Sequence, residues 1–278
     1  MSRMPRLPAG ERSAPRDIVE LRALASRQPD LTAAAALHAE LVTAVRRVES
    51  RVTTPSLDLP LDLLQTRLTR GVPLASFGEF PVDWAEVRLL IRQITDVFRR
   101  LDVIDQHAVV RLHGAGRDGG LSERARVWYE QPLTPGALAD DPDPMWPEVL
   151  QWALKPFLIR TAEVLTRRVD LEHWRRGHCP VCAAEPEFGA ITSTGAQVLL
   201  CGRCHTRWPF DPGCAFCGHH EAADLRTFAT ADRVYRVTRC LKCDRYLKVL
   251  DTQAAGRALL PFYDPVATLP LDAAMMQV

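Results

Sequence analysis

Four Cys-x-x-Cys pairs, all between residues 179 and 243, constrain this chain more than any other feature. They are Cys179/Cys182, Cys201/Cys204, Cys214/Cys217 and Cys240/Cys243, and the first 178 residues hold no cysteine. A C-x-x-C turn aims two sulfurs at one centre and directs backbone N–H groups towards them. Two such knuckles therefore supply a tetrahedral four-sulfur metal site. The 18 residues between Cys182 and Cys201 fit the spacing of paired metal-binding knuckles, and the 22 between Cys217 and Cys240 fit it with a longer hairpin.

Each long gap reads as a hairpin that brings its flanking knuckles together. One turns near Ser193-Thr194-Gly195 and the other near Thr230-Ala231-Asp232. This pairs the first knuckle with the second, in a site of Cys179, Cys182, Cys201 and Cys204. The third pairs with the fourth, in a site of Cys214, Cys217, Cys240 and Cys243. A cross-braced pairing, first with third and second with fourth, is the alternative. Four sulfurs suit iron and zinc alike, so two metal ions, Fe or Zn, are the expected cofactors. Arg203 and Lys242 lie inside knuckles, where they either offset thiolate charge or point to solvent.

Other uses of these thiols fit less well. A thioredoxin-like dithiol has one C-x-x-C ahead of a helix, whereas four sit here among short strands. A disulfide framework belongs to exported chains, and the N-terminal run MSRMPRLPAGERSAPRD has no apolar stretch behind its basic residues. A cytoplasmic location is expected. Cys201-Gly202-Arg203-Cys204-His205 spells a haem-attachment string, but the other knuckles lack the histidine. His205, His219 and His220 are therefore read as packing or surface residues.

The region before the knuckles reads as helical. Pro15 to Arg27 carries Ile18, Leu21 and Leu24 at helical spacing, and Asp30 is placed to cap a second helix with Leu37, Leu41, Ala44, Val45 and Val48 along one stripe. Pro81 opens a third, with Trp84, Val87, Ile91, Ile94, Phe98 and Leu101 on one side. A last run, about 147–169, includes Pro156, which is expected to kink or divide it. Proline-rich loops are expected over 54–60, 71–80 and 132–147. The stretch His113 to Gly120 is glycine-rich, lacks the GK[ST] ending of a phosphate loop, and reads as a flexible turn. The fold class is α + small β: an all-α N-terminal domain over 1–170, two tandem rubredoxin-like or zinc-ribbon modules over 171–212 and 213–252, and a C-terminal tail over 253–278. The linker Trp174 to His178 is short, so the two parts should pack together.

Charge narrows the partners. The chain has 35 basic and 34 acidic residues, without the excess of a dedicated nucleic-acid binder or a polybasic membrane-surface protein. Residues 171–250 hold 11 Lys/Arg against 8 Asp/Glu, too weak a bias for tracking phosphates. No apolar run is long enough to cross a bilayer.

The knuckles and what surrounds them also carry a resemblance. Cys179-Pro180-Val181-Cys182, Leu199-Leu200-Cys201-x-x-Cys204 with Trp208, Cys214-x-x-Cys217-Gly218, and Cys240-x-x-Cys243 followed by Tyr246-Leu247-Lys248 resemble the formate dehydrogenase accessory protein family, FdhE. Leu154-Lys155-Pro156-Phe157-Leu158 and the closing Leu271-Asp272-Ala273-Ala274-Met275 are similar to that family too. The segment Trp208 to Gly213 departs from the pattern in lacking an arginine. The resemblance implies an all-α domain followed by two rubredoxin-like modules. It also implies a cytoplasmic role in maturing a formate dehydrogenase, with the catalytic subunit as protein partner and no nucleic acid or membrane insertion. The expected function is that of an assembly factor without turnover. The alternatives are a rubredoxin-like electron carrier and a zinc-ribbon nucleic-acid adaptor.

Overall fold

The computed structural model describes residues 14–52, 56–130 and 143–277. Seven helices come first: α1 (Ala14–Arg27), α2 (Thr32–Glu49), α3 (Leu61–Arg70), α4 (Trp84–Arg100), α5 (Gln106–Arg117), α6 (Leu121–Glu130) and α7 (Trp146–Arg168). The expected stripes face inward. Leu41, Val45 and Val48 of α2 and Val87, Ile91, Ile94 and Phe98 of α4 are buried, and both helices pack on α7. Helix α7 buries Val149, Leu150, Leu154, Phe157 and Leu158 and runs unbroken through Pro156. A helix enclosed by its neighbours tolerates one missing backbone donor when packing repays it.

Local chemistry shifts several boundaries from the sequence reading. Helix α4 starts at Trp84, because the Asp83 carboxylate accepts from the N–H groups of Ala85 (2.9 Å) and Glu86 (3.2 Å). Asp30 does not cap α2; Pro29–Leu31 forms a 3-10 turn leading into it. Residues 113–117 belong to α5, so the glycine-rich stretch begins as helix. Gly116 has a packing reason there, since a Cβ on it would come within 3.0 Å of Ile91 Cγ2. The proline-rich segments fall outside the described residues over 53–55 and 131–142, as does the N-terminal run before residue 14.

Six strands follow: β1 (Pro186–Ile191), β2 (Gln197–Cys201), β3 (Arg207–Pro209), β4 (Leu225–Ala229), β5 (Tyr235–Cys240) and β6 (Tyr246–Asp251). The β1–β2 turn contains Gly195 at φ 81°, whose N–H bonds the Thr192 carbonyl at 2.9 Å. The β4–β5 turn is closed by Asp232, which accepts from Val234 N–H at 3.0 Å. Both hairpins turn where the sequence places them.

The two knuckle modules join into one sheet of order β3-β2-β1-β6-β5-β4. The third strand of the second module lies parallel to the first strand of the first, with Gly189 opposite Val249 and Ile191 opposite Asp251. All other pairs are antiparallel. Alternation then gives the sheet two buried faces. Leu199, Trp208, Leu247 and Val249 join the core of the helical bundle. Phe188, Ala190, Leu200 and Leu250 form a second cluster with Leu259.

The C-terminal segment carries α8 (Thr252–Ala255), α9 (Asp264–Ala267) and α10 (Leu269–Met275); its Leu259 joins this second cluster, whereas Leu260, Phe262, Val266 and Ala267 join the core of the bundle. Asp264, fully buried, accepts from Tyr235 Oη (2.7 Å), Arg257 Nη2 (2.6 Å) and the Leu260 N–H (2.6 Å). Asp272 accepts from Tyr246 Oη (2.8 Å) and Lys248 Nζ (2.6 Å). No helix of the described residues is long and apolar enough to cross a membrane.

The loop between α3 and α4 fixes the helical part to the first knuckle. Leu74 N–H donates to the Pro180 carbonyl (2.8 Å) and Ala75 N–H to that of Val181 (3.1 Å). Arg67 braces this loop by forking onto Glu79 (2.7 and 2.8 Å) and donating to the Leu74 carbonyl (2.7 Å). The Arg67 guanidinium, followed by the Ser76 N–H and hydroxyl, pulls the Glu79 carboxyl down to about 2. A depressed carboxyl stabilises the fold above its ordinary value of 4.5 and loses that contribution as pH falls towards 2. Glu79→Gln should therefore cost about 1 kcal/mol near neutral pH and flatten the acid limb of stability. Urea melts of both proteins across the acid range check this. An unchanged acid limb counts against it.

Candidate metal centres

The four knuckles have one backbone design. In each, the residue after the second cysteine is left-handed: Ala183 (φ 61°), His205 (56°), Gly218 (74°) and Asp244 (59°). Its N–H returns to the carbonyl of the first cysteine, at 3.1, 3.0, 3.0 and 2.9 Å respectively. The first cysteine's own N–H reaches two residues past the second, to Ala184 (2.8 Å), Thr206 (2.9 Å), His219 (2.8 Å) and Arg245 (2.9 Å). Three knuckles hold this conformation without glycine, a strain on the order of 1 kcal/mol each that a metal–thiolate bond readily offsets.

The knuckles pair in chain order, not cross-braced. Cys179, Cys182, Cys201 and Cys204 form one group, and Cys214, Cys217, Cys240 and Cys243 the other. In the first, Sγ separations are 3.5 Å (Cys179–Cys204), 3.5 Å (Cys182–Cys201) and 3.6 Å (Cys182–Cys204). In the second they are 3.6 Å (Cys214–Cys243) and 3.7 Å (Cys217–Cys240). A tetrahedron of sulfurs with metal–sulfur bonds of about 2.3 Å has edges of about 3.8 Å. A disulfide needs about 2.05 Å. All eight thiols are unbridged and sit near the tetrahedral spacing, so each group can hold one ion. Thiolate donors leave the choice between iron and zinc open.

Around the first group, burial forces charge compensation. Four thiolates on a divalent ion carry a net −2, which an apolar setting tolerates only beside cations or N–H donors. The Val181 and Cys204 N–H groups point at sulfur, at 3.4 and 3.5 Å. Lys155, 3% exposed on α7, donates through Nζ to the Gly202 carbonyl at 2.5 Å. Arg203, 2% exposed, donates to the carbonyls of Tyr129 (2.8 Å) and Trp128 (3.3 Å), with its guanidinium 4.5 Å from the Trp128 ring centre.

Arg203 thus does not point to solvent. It reaches the last turn of α6, whose carbonyls have no donor partner within the helix. Lys242 does lie at the surface, paired with Asp224 at 3.2 Å. The histidines stay outside both groups. His205 packs edge-on against Phe262, ring centres 4.6 Å apart, and burial, followed by Lys155, keeps it well below its usual pKa and neutral. His219 pairs with Asp224 at 2.8 Å.

The two groups are also tied to each other. Arg245, just after the fourth knuckle, forks onto Glu185, just after the first, with two bonds of 2.6 Å. Its guanidinium lies 3.8 Å from the ring centre of Phe216 inside the third knuckle. Arg203 stands out in the sequence by its place inside a knuckle, whereas Lys155, Glu185 and Arg245 are not identifiable as supports from spacing. The only signal was Lys155 and Lys248 standing in otherwise apolar runs.

Fold and site together define a helical protein carrying two tandem four-cysteine knuckle modules merged into one sheet. No family model matches the chain. It is 31% identical over 125 residues to "Protein FdhE homolog" of Aquifex aeolicus (strain VF5), covering 43% of this chain and 43% of that one. It is 30% identical over 134 residues to "Protein FdhE homolog" of Actinobacillus pleuropneumoniae serotype 3 (strain JL03), covering 46% and 44%. The matches thus span less than half the length of these curated relatives. In fold it is similar to the crystal structure of the FdhE protein from Pseudomonas aeruginosa, with a TM-score of 0.69 at 21% identity over 98% of this chain and 94% of that one. The chain is thus similar to FdhE proteins in sequence over less than half its length and in fold over nearly all of it.

Lys155→Met keeps the length of the side chain but leaves the Gly202 carbonyl without its donor and the first group short of a cation. The expected loss is on the order of 2 kcal/mol in denaturant melts of the metal-loaded protein. Melts that overlay those of the wild type would exclude this role for the ammonium.

Proposed function

We propose that this chain is an accessory protein for a formate dehydrogenase, acting in the cytoplasm on the enzyme's catalytic subunit and without catalytic turnover of its own. The observation that carries this reading is the pair of closed four-sulfur groups inside an FdhE-type fold. A metal held by four protein thiolates has no open position for substrate, so its use is to shape a surface. Cys179, Cys182, Cys201 and Cys204 would hold one ion, and Cys214, Cys217, Cys240 and Cys243 the other. Bound there, the ions supply folding free energy, on the order of 10 kcal/mol per structural site. The chain's own residues do the rest. Lys155 and Arg203 offset the thiolate charge, and Glu185 with Arg245 holds the two modules in register.

A host lacking the gene should lose most formate oxidation while still making the catalytic polypeptide. The tagged chain should capture that polypeptide from the same host. Normal formate oxidation in a deletion strain with no substitute protein would rule the reading out.

A second reading, rubredoxin-like electron transfer, draws on the exposure of Cys217, which places one residue of the second group at the surface. It requires iron, whose ferric thiolate form is red. A colourless, redox-silent protein with both ions bound would end it.

A further inference from the structure

The two cysteine groups share a knuckle design and differ in what surrounds it. In the first, all four cysteines are buried. Its knuckles are clamped from several sides: by Leu74 and Ala75 N–H groups, by Lys155, by Arg203, and by the Trp208 indole N–H on the Arg176 carbonyl at 2.8 Å. Most of these clamps come from the helical bundle, so the first module stays packed through contacts that do not involve an ion.

The second group has far less support. Cys217 is exposed and Cys243 half-buried. Strand β4, at the sheet edge, has no buried residue, and Phe228 and Leu241 stand 49% and 47% exposed. Knuckle four is held to its surroundings by the Leu241 N–H on the Asp224 carbonyl (2.9 Å) and by the Asp224 carboxylate, which pairs with His219 and Lys242 near the surface. Knuckle three rests on the linker, where the Ala215 carbonyl lies so close to Gly177 that a Cβ there would sit 1.8 Å from it. As the edge strand, β4 pairs on one side alone and adds no buried residue to the sheet. Strand β5 is also paired with β6, and Arg245 forks onto Glu185, so beyond its ladder to β5 the bonds from an ion to four sulfurs are the main restraint on the outer strand β4.

We infer that the second group is an exchangeable metal site whose ion governs the order of the edge strand β4, while the first group keeps its ion as long as the bundle is folded. The inference rests on both groups holding an ion and is independent of the client. Exchange starts at Cys217, the one ligand residue that is exposed. An incoming soft donor, a thiolate of a partner or a small thiol, bonds to the ion as the Cys217–metal bond breaks. The displaced thiolate takes a proton from solvent, and no electrons move. An acceptor of that chemistry removes the second ion, and with it the exposed edge that β4 presents.

The test uses the full chain, zinc-loaded, with bound zinc counted first. A colorimetric zinc chelator in excess should remove one equivalent at least about tenfold faster than the other, since local opening costs less than global unfolding. Amide exchange followed through the fast phase should rise over residues 225–234 and stay low over 186–201. Cys217→Ser should abolish the fast equivalent and keep the slow one. If that variant misfolds, the exchange pattern of the unaltered protein decides. Two equivalents leaving at one rate, neither leaving, or a fast phase that also deprotects 186–201 would overturn the inference while leaving two bound ions intact as a finding. A chain that carries no zinc from the outset would overturn both.

Discussion

The structure depends on the first four-cysteine group lying where bundle and sheet meet. Its knuckles face the 74–75 loop, the end of α6 and the middle of α7, so three parts of the bundle close on one buried cluster of sulfur. Sulfurs this deep need compensation. Two buried cations, Lys155 and Arg203, lie at this junction, each donating to a backbone carbonyl. The polar pieces are interdependent: Arg203 answers both the thiolate charge and the unpaired carbonyls at the end of α6.

The second module is attached by addition to this assembly. Because β6 runs parallel to β1, the two modules stand side by side in the same orientation instead of facing each other. The second module still reaches the bundle core through Leu247 and Val249, but its outer strand β4 buries nothing and ends in an exposed edge. The C-terminal segment offsets part of this asymmetry. Asp264 holds it against β5 and Asp272 against β6. The Tyr246-Leu247-Lys248 and Leu271–Met275 motifs thus turn out to be two halves of one contact.

Much of this was legible in the sequence because short-range patterns enforce it. Cysteine spacing and turn residues located both hairpins and both sulfur groups, and apolar periodicity located the buried stripes of α2 and α4. What the sequence hid was long-range. Nothing in the spacing says that β6 pairs with β1, that Arg203 turns inward to α6, or that residues 253–277 pack on β5 and β6, since these contacts join segments far apart in the chain. Asp30 and the glycine-rich stretch were misread for the opposite reason: local propensity gave way to the geometry of neighbouring helices, as at Gly116 against Ile91.

The accessory role we propose draws on this build. The chemistry-bearing side chains are committed to one another, and what the ions would maintain is a surface. Whether two ions are there is the central claim. X-ray absorption at the metal edge of protein purified under reducing conditions addresses it directly. The account predicts two metals per chain, each with four sulfur neighbours at about 2.3 Å and no nitrogen or oxygen in the first shell. Metal-free protein that is fully folded, or cysteines joined in pairs at about 2.05 Å, would contradict it.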